Sequence, residues 1–118
     1  MIEVSCAIIE NKKGEVLVTR PSMAMDHPLK WEFPGGKIEP SETPEECLIR
    51  EIKEELTIDI RIIRSLLPVK HSYLVKQIIL MPFICQYLKG EIQLKEHASF
   101  KWLYPEELEH LDWAEADI

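Results

Sequence analysis

The chain has 118 residues, of which 46% are hydrophobic, enough to bury a core without disulfides or a structural metal as staples. Its 21 acidic and 14 basic residues leave a formal net charge of −7, which excludes a nonspecific nucleic-acid binder, because such a protein needs a basic face. No secretory leader follows Met1-Ile2-Glu3 and no apolar run approaches the ~18 residues of a membrane span, so one cytoplasmic domain over residues 1–118, with no membrane partner, is expected.

Residues 2–9 (IEVSCAII) read as a largely buried strand, 11–14 (NKKG) as a turn and 15–20 (EVLVTR) as a second strand, together a hairpin. Residues 21–30 form a loop punctuated by Pro21 and Pro28. Trp31-Glu32-Phe33 is short and extended, and Pro34-Gly35-Gly36 breaks it. Thr43 has the chemistry of a helix N-cap, Pro44 fits the first turn, and Glu46 completes a capping box. The helix runs to about Leu56. At ~100° per residue, Leu48, Ile49, Ile52 and Leu56 form its apolar stripe, and Glu51, Glu54 and Glu55 fall on the adjoining face.

Residues 58–67, 72–88 and 98–103 are rich in β-branched and aromatic side chains and read as β-structure, with a turn at Lys89-Gly90. Residues 104–111 read as a second short helix, with Pro105 near its start. No repeat or linker interrupts this order. It predicts an α+β protein, a mixed sheet with helices packed on it as an α/β/α sandwich. Cys6, Cys47 and Cys85 are odd in number and far apart, without a Cys-x-x-Cys pair, and read as buried thiols outside any disulfide. His27, His71, His97 and His110 show no ligand spacing and read as surface or structural residues.

The three helical glutamates are the feature that calls for chemistry. Like charges one turn apart repel by roughly 0.2–0.5 kcal/mol per pair. Three such residues, taken alone, are a solvated acidic face. They are also hard oxygen donors, of the kind that Mg2+ takes together with water and substrate phosphates.

Their surroundings decide between these readings. From Gly36 the spacing is five residues to Glu42, then seven residues to Arg50-Glu51-Ile52-Lys53-Glu54-Glu55-Leu56-Thr57-Ile58. This resembles the Nudix box, the signature of the Nudix hydrolases, and departs from it only at Thr57, where the family has Gly. Residues 31–40 (WEFPGGKIEP), with Lys95-Glu96-His97 and Lys101-Trp102-Leu103, resemble the MutT-type branch, the nucleoside triphosphate pyrophosphohydrolases. The likeness covers nearly the whole chain and is strongest over residues 31–58.

The resemblance implies a Nudix fold and Mg2+-dependent hydrolysis of a nucleoside triphosphate to the monophosphate and pyrophosphate, with Mn2+ as an alternative metal. It implies cleansing of the nucleotide pool, with 8-oxo-dGTP as the first substrate choice and a cytidine or modified-pyrimidine triphosphate as the second. A noncatalytic nucleotide-sensing module is the reading from another class; such modules usually lack glutamates of the box, and all three are present here. A small nucleotide is the expected partner of a monomer or homodimer.

By the same resemblance the metal ligands are the Gly35 carbonyl, Glu51, Glu54, Glu55 and Glu96, and the general base is Glu54 or Glu96. Arg50 is expected to orient a glutamate, with Glu46 and Glu54 each one turn away, and Glu42 to brace the loop. Arg20 and Lys37 stand where they would meet phosphate or remain surface cations. Phe33 would flank the base or belong to the core. Tyr73 and Lys76 match an aromatic and a basic residue near the base. Ala114 falls about where bacterial 8-oxoguanine readers of the branch have a base-reading asparagine; Asp117, in an ADI that resembles its pyrimidine-tolerant members, is expected to set base preference, with a cap on a C-terminal helix or a frayed end as its alternative. A β-branched residue is strained in the left-handed conformation that follows many helices, so at Thr57 the helix is expected to end differently.

Overall fold

The computed structural model describes residues 2–21, 30–73, 76–95, 97–111 and 113. Among them are strands β1 (Ile2–Glu10), β2 (Val16–Pro21), β3 (Gly35–Lys37), β4 (Asp59–Ser65), β5 (Val69–Tyr73), β6 (Lys76–Lys89) and β7 (His97–Leu103). Helix α1 covers Pro44–Leu56, and a 3-10 helix covers Pro105–His110.

The β1–β2 hairpin closes on Asn11, whose Oδ1 accepts from the backbone N–H groups of Lys13 and Glu15 at 3.0 Å each. Its side chain thereby supplies a turn that the backbone alone would hold less firmly. The sheet runs β4-β6-β1-β2-β7, with β3 on β1 and β5 on β6. It is mixed: β1 and β6 are parallel from Ile2↔Ile78 to Glu10↔Gln86, and the other pairings are antiparallel.

β1 and β2 diverge from their turn, and residues 31–37 fill the gap. Thr19 and Glu32 exchange backbone hydrogen bonds at 2.9 and 2.8 Å, Ala7 N–H donates to the Pro34 carbonyl at 2.8 Å, and β3 pairs Gly35 with Cys6 and Gly36 with Ser5. Pro34-Gly35-Gly36 therefore leads into a strand; it does not break one. Pro34 carries no N–H and needs none here, because only its carbonyl joins the ladder.

The capping box forms as the sequence predicts, with Glu46 N–H on Thr43 Oγ1 at 3.1 Å and Thr43 N–H on Glu46 Oε1 at 2.8 Å. From that start α1 buries Cys47, Leu48, Ile52 and Leu56 on the sheet. Leu48, Ile52 and Leu56 meet Ala7, Ile9, Leu17, Ile58, Ile60, Phe83 and Cys85 in one apolar core. Ile49 does not join them and is 50% exposed. The buried arc is centred on Leu48 and takes in Cys47 on its far side, which leaves Ile49, ~100° from Leu48, at the solvent margin.

The described part of the run 72–88 is β-structure as read, divided between β5, which starts at Val69, and β6, with Tyr73 paired to Lys76. Two further expectations change. The second helix is a single 3-10 segment with no buried residue, too short of apolar contacts to propagate as an α-helix. Thr57 does end α1 in the left-handed conformation, at φ 60 and ψ 28. For a β-branched residue that conformation costs about 1–2 kcal/mol. The cost is offset by its N–H on the Lys53 carbonyl at 3.0 Å and by hydroxyl contacts to the Leu56 and Glu91 carbonyls at 2.6 and 2.9 Å. Ile58, 1% exposed, is thereby returned to the core.

Candidate active site

Helix α1 is pinned at its start against β1 and β3. Ser5 Oγ donates to the Pro44 carbonyl at 2.9 Å, and Cys47 Sγ lies 3.3 Å from the Lys37 carbonyl. Burial pushes the Cys47 thiol up to about 11, so it stays neutral beside the charges around it. The glycines set the closeness of this contact. A Cβ on Gly35 would stand 2.0 Å from the Ser5 carbonyl oxygen, and one on Gly36 would stand 2.4 Å from Glu51 Cδ. Gly35 is thus required by β1, and Gly36 by a helix carboxylate.

Arg50 organises the acidic face. Nε and Nη2 hold Glu42 at 3.0 and 2.7 Å, while Nη1 reaches Glu51 at 2.8 Å and Glu54 at 3.2 Å. Of the two partners expected one turn away, Glu54 is met; Glu46 is not, because its carboxylate is spent on the capping box. Glu42 also accepts from Glu39 N–H at 2.9 Å, which makes it a brace between loop and helix. These bonds, with Arg50 foremost, hold the Glu42 carboxyl down at about 2, and Glu42 in turn raises the already high basicity of Arg50.

Glu51 is 16% exposed and Glu54 62% exposed, so the first is fixed and the second faces water. Glu55 keeps its Oε2 out of solvent, and its carbonyl accepts from Lys95 N–H at 3.2 Å. The structure brings Gly36, Arg50, Glu51 and Glu54 together where β3 meets α1. Glu96 and Asp117 lie outside the described residues, as do the side chains of Tyr73 and Lys76.

The other candidates lie around residues 31–37. Phe33 stands 5.0 Å from the Trp113 ring, whose Nε1 donates to the Leu108 carbonyl at 2.8 Å. Arg20 and Lys101 stand 5.0 and 4.9 Å from the ring of Trp31. Lys37 is exposed on β3. Sequence reasoning missed Trp31, Lys101 and Trp113. The alternation Trp31-x-Phe33 was the available signal, since it puts two rings on one face of an extended segment.

A NUDIX domain profile matches residues 1–118. The chain belongs to the Nudix family. It is 35% identical over 118 residues to a CTP pyrophosphohydrolase of Escherichia coli, covering all of this chain and 87% of that protein. It is 30% identical over 102 residues to an 8-oxo-dGTP diphosphatase of the same organism, covering 86% of this chain and 79% of that protein. Among solved structures, the MutT protein of Methanosarcina mazei superposes with a TM-score of 0.88 at 30% identity, over 98% of this chain and 86% of that one. The E. coli ORF135 protein gives 0.84 at 34% identity, over 100% and 84%. This Nudix hydrolase is therefore a pyrophosphohydrolase of the MutT-like group, built as an α+β fold on a mixed sheet.

Nudix hydrolases generally need a divalent metal ion. Among the described residues, no three His, Cys, Asp or Glu side chains converge closely enough to form a metal cluster by themselves. The donors nevertheless suit a hard cation that takes few protein ligands. Glu51, Glu54 and Glu55 are carboxylates, and Gly36 gives up its Cβ to the Glu51 carboxylate. Arg50 already draws Glu51 and Glu54 towards one point by sharing Nη1 between them.

Proposed function

We propose that this Nudix hydrolase cleaves a nucleoside triphosphate between the α- and β-phosphates, giving the monophosphate and pyrophosphate, with Mg2+ as cofactor and Mn2+ as substitute. The observation that carries the proposal is the shared hold of Arg50 on Glu51 and Glu54 beside the Cβ-free Gly36. Gly35, Glu51, Glu54, Glu55 and Glu96 would hold the metal, which supplies charge neutralisation on the phosphates. Arg50 fixes the rotamer of Glu51 and orients Glu54, whose exposed carboxylate stands in reach of a water it could deprotonate. Glu54 and Glu96 are the two candidates for that step; the Glu54 side chain is 62% exposed.

On the substrate side, Lys37 and Arg20 are proposed to meet phosphate, and Phe33, Tyr73, Lys76 and Asp117 the base. We take 8-oxo-dGTP as the first substrate and nucleotide-pool cleansing as the role, in line with the relatives named 8-oxo-dGTP diphosphatase. A specific observation favours a second reading, a cytidine triphosphate. The full-length relative at 35% identity is named CTP pyrophosphohydrolase, and this chain has no asparagine after Asn11 to read a purine as an amide would. Asp117 would accept from an exocyclic amine, as on cytosine. The enzyme is proposed to act in the cytoplasm, as monomer or homodimer, on free nucleotides; its net charge of −7 disfavours a nucleic-acid polymer. No helix among the described residues is long and apolar enough to cross a membrane.

The test is pyrophosphate release from a panel of nucleotides in Mg2+ against EDTA, repeated with Asp117→Ala on dCTP, dGTP and 8-oxo-dGTP. A selective loss of kcat/KM on one base supports the assignment of Asp117. An equal loss on all three removes Asp117 from base reading, and no release from any nucleotide refutes the reaction.

A further inference from the structure

The end of α1 is closed by a segment that belongs to no strand. Residues 90–95 run from β6 back under the helix, where Gln93 N–H donates to the Leu56 carbonyl at 3.0 Å and Lys95 N–H to the Glu55 carbonyl at 3.2 Å. These carbonyls have no partner inside the helix, since the last turn of any α-helix leaves its acceptors over. The same last turn carries Glu54 and Glu55.

Thr57 joins the two pieces. Its N–H takes the Lys53 carbonyl, and its hydroxyl shares one proton between the Leu56 carbonyl at 2.6 Å and the Glu91 carbonyl at 2.9 Å. Gly90 is the other half of the contact. At φ 110 it lets the chain turn back, and a Cβ there would come within 2.9 Å of the Thr57 carbonyl oxygen. The Nudix box has Gly where this chain has Thr57, and a glycine would satisfy the left-handed backbone but offer nothing to Glu91. The hydroxyl is thus an addition of this chain, retained at a position where its β-branch is disfavoured.

We infer that Thr57 is a positioning residue for hydrolysis: it clasps segment 90–95 onto the last turn of α1 and so fixes where Glu54 and Glu55 stand on that turn. The inference rests on the reading of Glu54 and Glu55 as working carboxylates. The clasp itself does not depend on that reading, because it consists of backbone and hydroxyl contacts alone.

Thr57→Gly, Thr57→Ser and Thr57→Val separate the parts. Amide hydrogen exchange at Gln93 and Lys95 is followed in EDTA, with the thermal midpoint, and kcat and KM are taken in Mg2+. Thr57→Gly relieves the backbone and loses the hydroxyl. Its midpoint is expected to stay within about 3 °C of the wild type, while Gln93 and Lys95 exchange ~10-fold faster and kcat falls ~10-fold at unchanged KM. Thr57→Ser keeps the hydroxyl and restores both the exchange rates and kcat. Thr57→Val repeats the exchange and kcat losses with a lower midpoint. Wild-type exchange in Thr57→Gly overturns the clasp. Faster exchange with wild-type kcat, or a kcat that falls only as far as the folded fraction falls, overturns the positioning role. If the wild type itself turns over no nucleotide, the reading of the glutamates has failed, and exchange at Gln93 and Lys95 still decides the clasp.

Discussion

Arg50 and Glu42 meet fork to fork, eight residues apart, with Nε on Oε2 at 3.0 Å and Nη2 on Oε1 at 2.7 Å. This pairing ties the loop after β3 to the second turn of α1. It also orients the guanidinium so that its remaining nitrogen, Nη1, points along the helix at Glu51 and Glu54. One planar group thereby holds the loop and sets the carboxylates, which a lysine could not do, because an ammonium is a point charge without a fork. Arg50→Lys is expected to keep the fold and lower kcat by ~10-fold or more, through a freed Glu51. Wild-type kcat in that variant would show that charge alone suffices.

The pairing makes stability depend on pH with a definite sign. Glu42 is held at about 2 against an ordinary 4.5, first by Arg50 and then by Glu39 N–H. A carboxyl depressed in the folded state contributes stability that is complete above its unfolded value and is lost as pH falls towards its folded value. Wild type and Glu42→Gln should therefore differ most in thermal midpoint above pH 4.5, and the gap should narrow steadily between 4.5 and 2. A gap that stays constant from neutral pH down to pH 2 would assign the loss to packing.

The adjacent glycines should fail differently when each is given a methyl group. At Gly35 the obstacle is β1 backbone, with the Ser5 carbonyl oxygen 2.0 Å from the new Cβ and Cys6 Cα at 2.7 Å. Gly35→Ala is expected to unfold the β1–β3 pairing and to lower stability by about 3 kcal/mol or more. At Gly36 the obstacle is the Glu51 side chain, at 2.4 to 2.8 Å, which can swing away. Gly36→Ala should cost about 1–2 kcal/mol yet reduce kcat by ~10²-fold, because Glu51 then leaves its place beside Arg50. Denaturant melts and steady-state kinetics on both variants check the contrast, and equal stability losses would remove it.

The glutamates carry a sharper expectation. Glu54→Gln and Glu55→Gln should each lower kcat by on the order of 10²-fold or more, near 3 kcal/mol of transition-state stabilisation. Saturating Mg2+ keeps metal occupancy out of the comparison. Activity within a few-fold of wild type in both variants would exclude them from the chemistry.

Local signals in the sequence were enough for α1 and for the first hairpin. Thr43, Pro44 and Glu46 define a cap by chemistry that acts over three residues, and it forms as read. The acidic face was equally legible, because helix geometry alone puts Glu51, Glu54 and Glu55 on adjoining positions. Illegible features depend on contacts between distant segments. Ile49 belongs to the apolar stripe by periodicity, but the sheet covers an arc shifted towards Cys47. Thr57 looked incompatible with a left-handed cap because Glu91, 34 residues on, could not be foreseen as the acceptor of its hydroxyl. Gly35-Gly36 read as a break for the same reason: the strand beside which they lie is β1, almost thirty residues earlier in the chain. The aromatic group around Trp31 and Phe33 has its partners on β2, on β7 and at Trp113, and no short window contains them.

The acidic face should also make the fold responsive to metal. Glu51 and Glu54 share one guanidinium nitrogen, so a single positive charge faces both carboxylates while Glu42 claims the other side of the same group. The charge on this end of α1 remains negative, and repulsion between residues one turn apart persists at about 0.2–0.5 kcal/mol per pair. A divalent cation that binds only the folded arrangement removes this repulsion and adds its own binding free energy by mass action. At ~100 times its Kd such an ion stabilises by about 2.7 kcal/mol. For a domain of this size each kcal/mol moves the midpoint by roughly 4 °C. Saturating Mg2+ is thus expected to raise the thermal midpoint by roughly 10 °C over EDTA, with most of the shift gone in Glu55→Gln. Glu109→Gln, on the 3-10 helix, removes the same charge from the far end of the chain and should leave the shift intact, which separates site binding from general screening of a protein with net charge −7. Superimposable melting curves in Mg2+ and EDTA would mean that the carboxylates do not form a metal site until the nucleotide arrives.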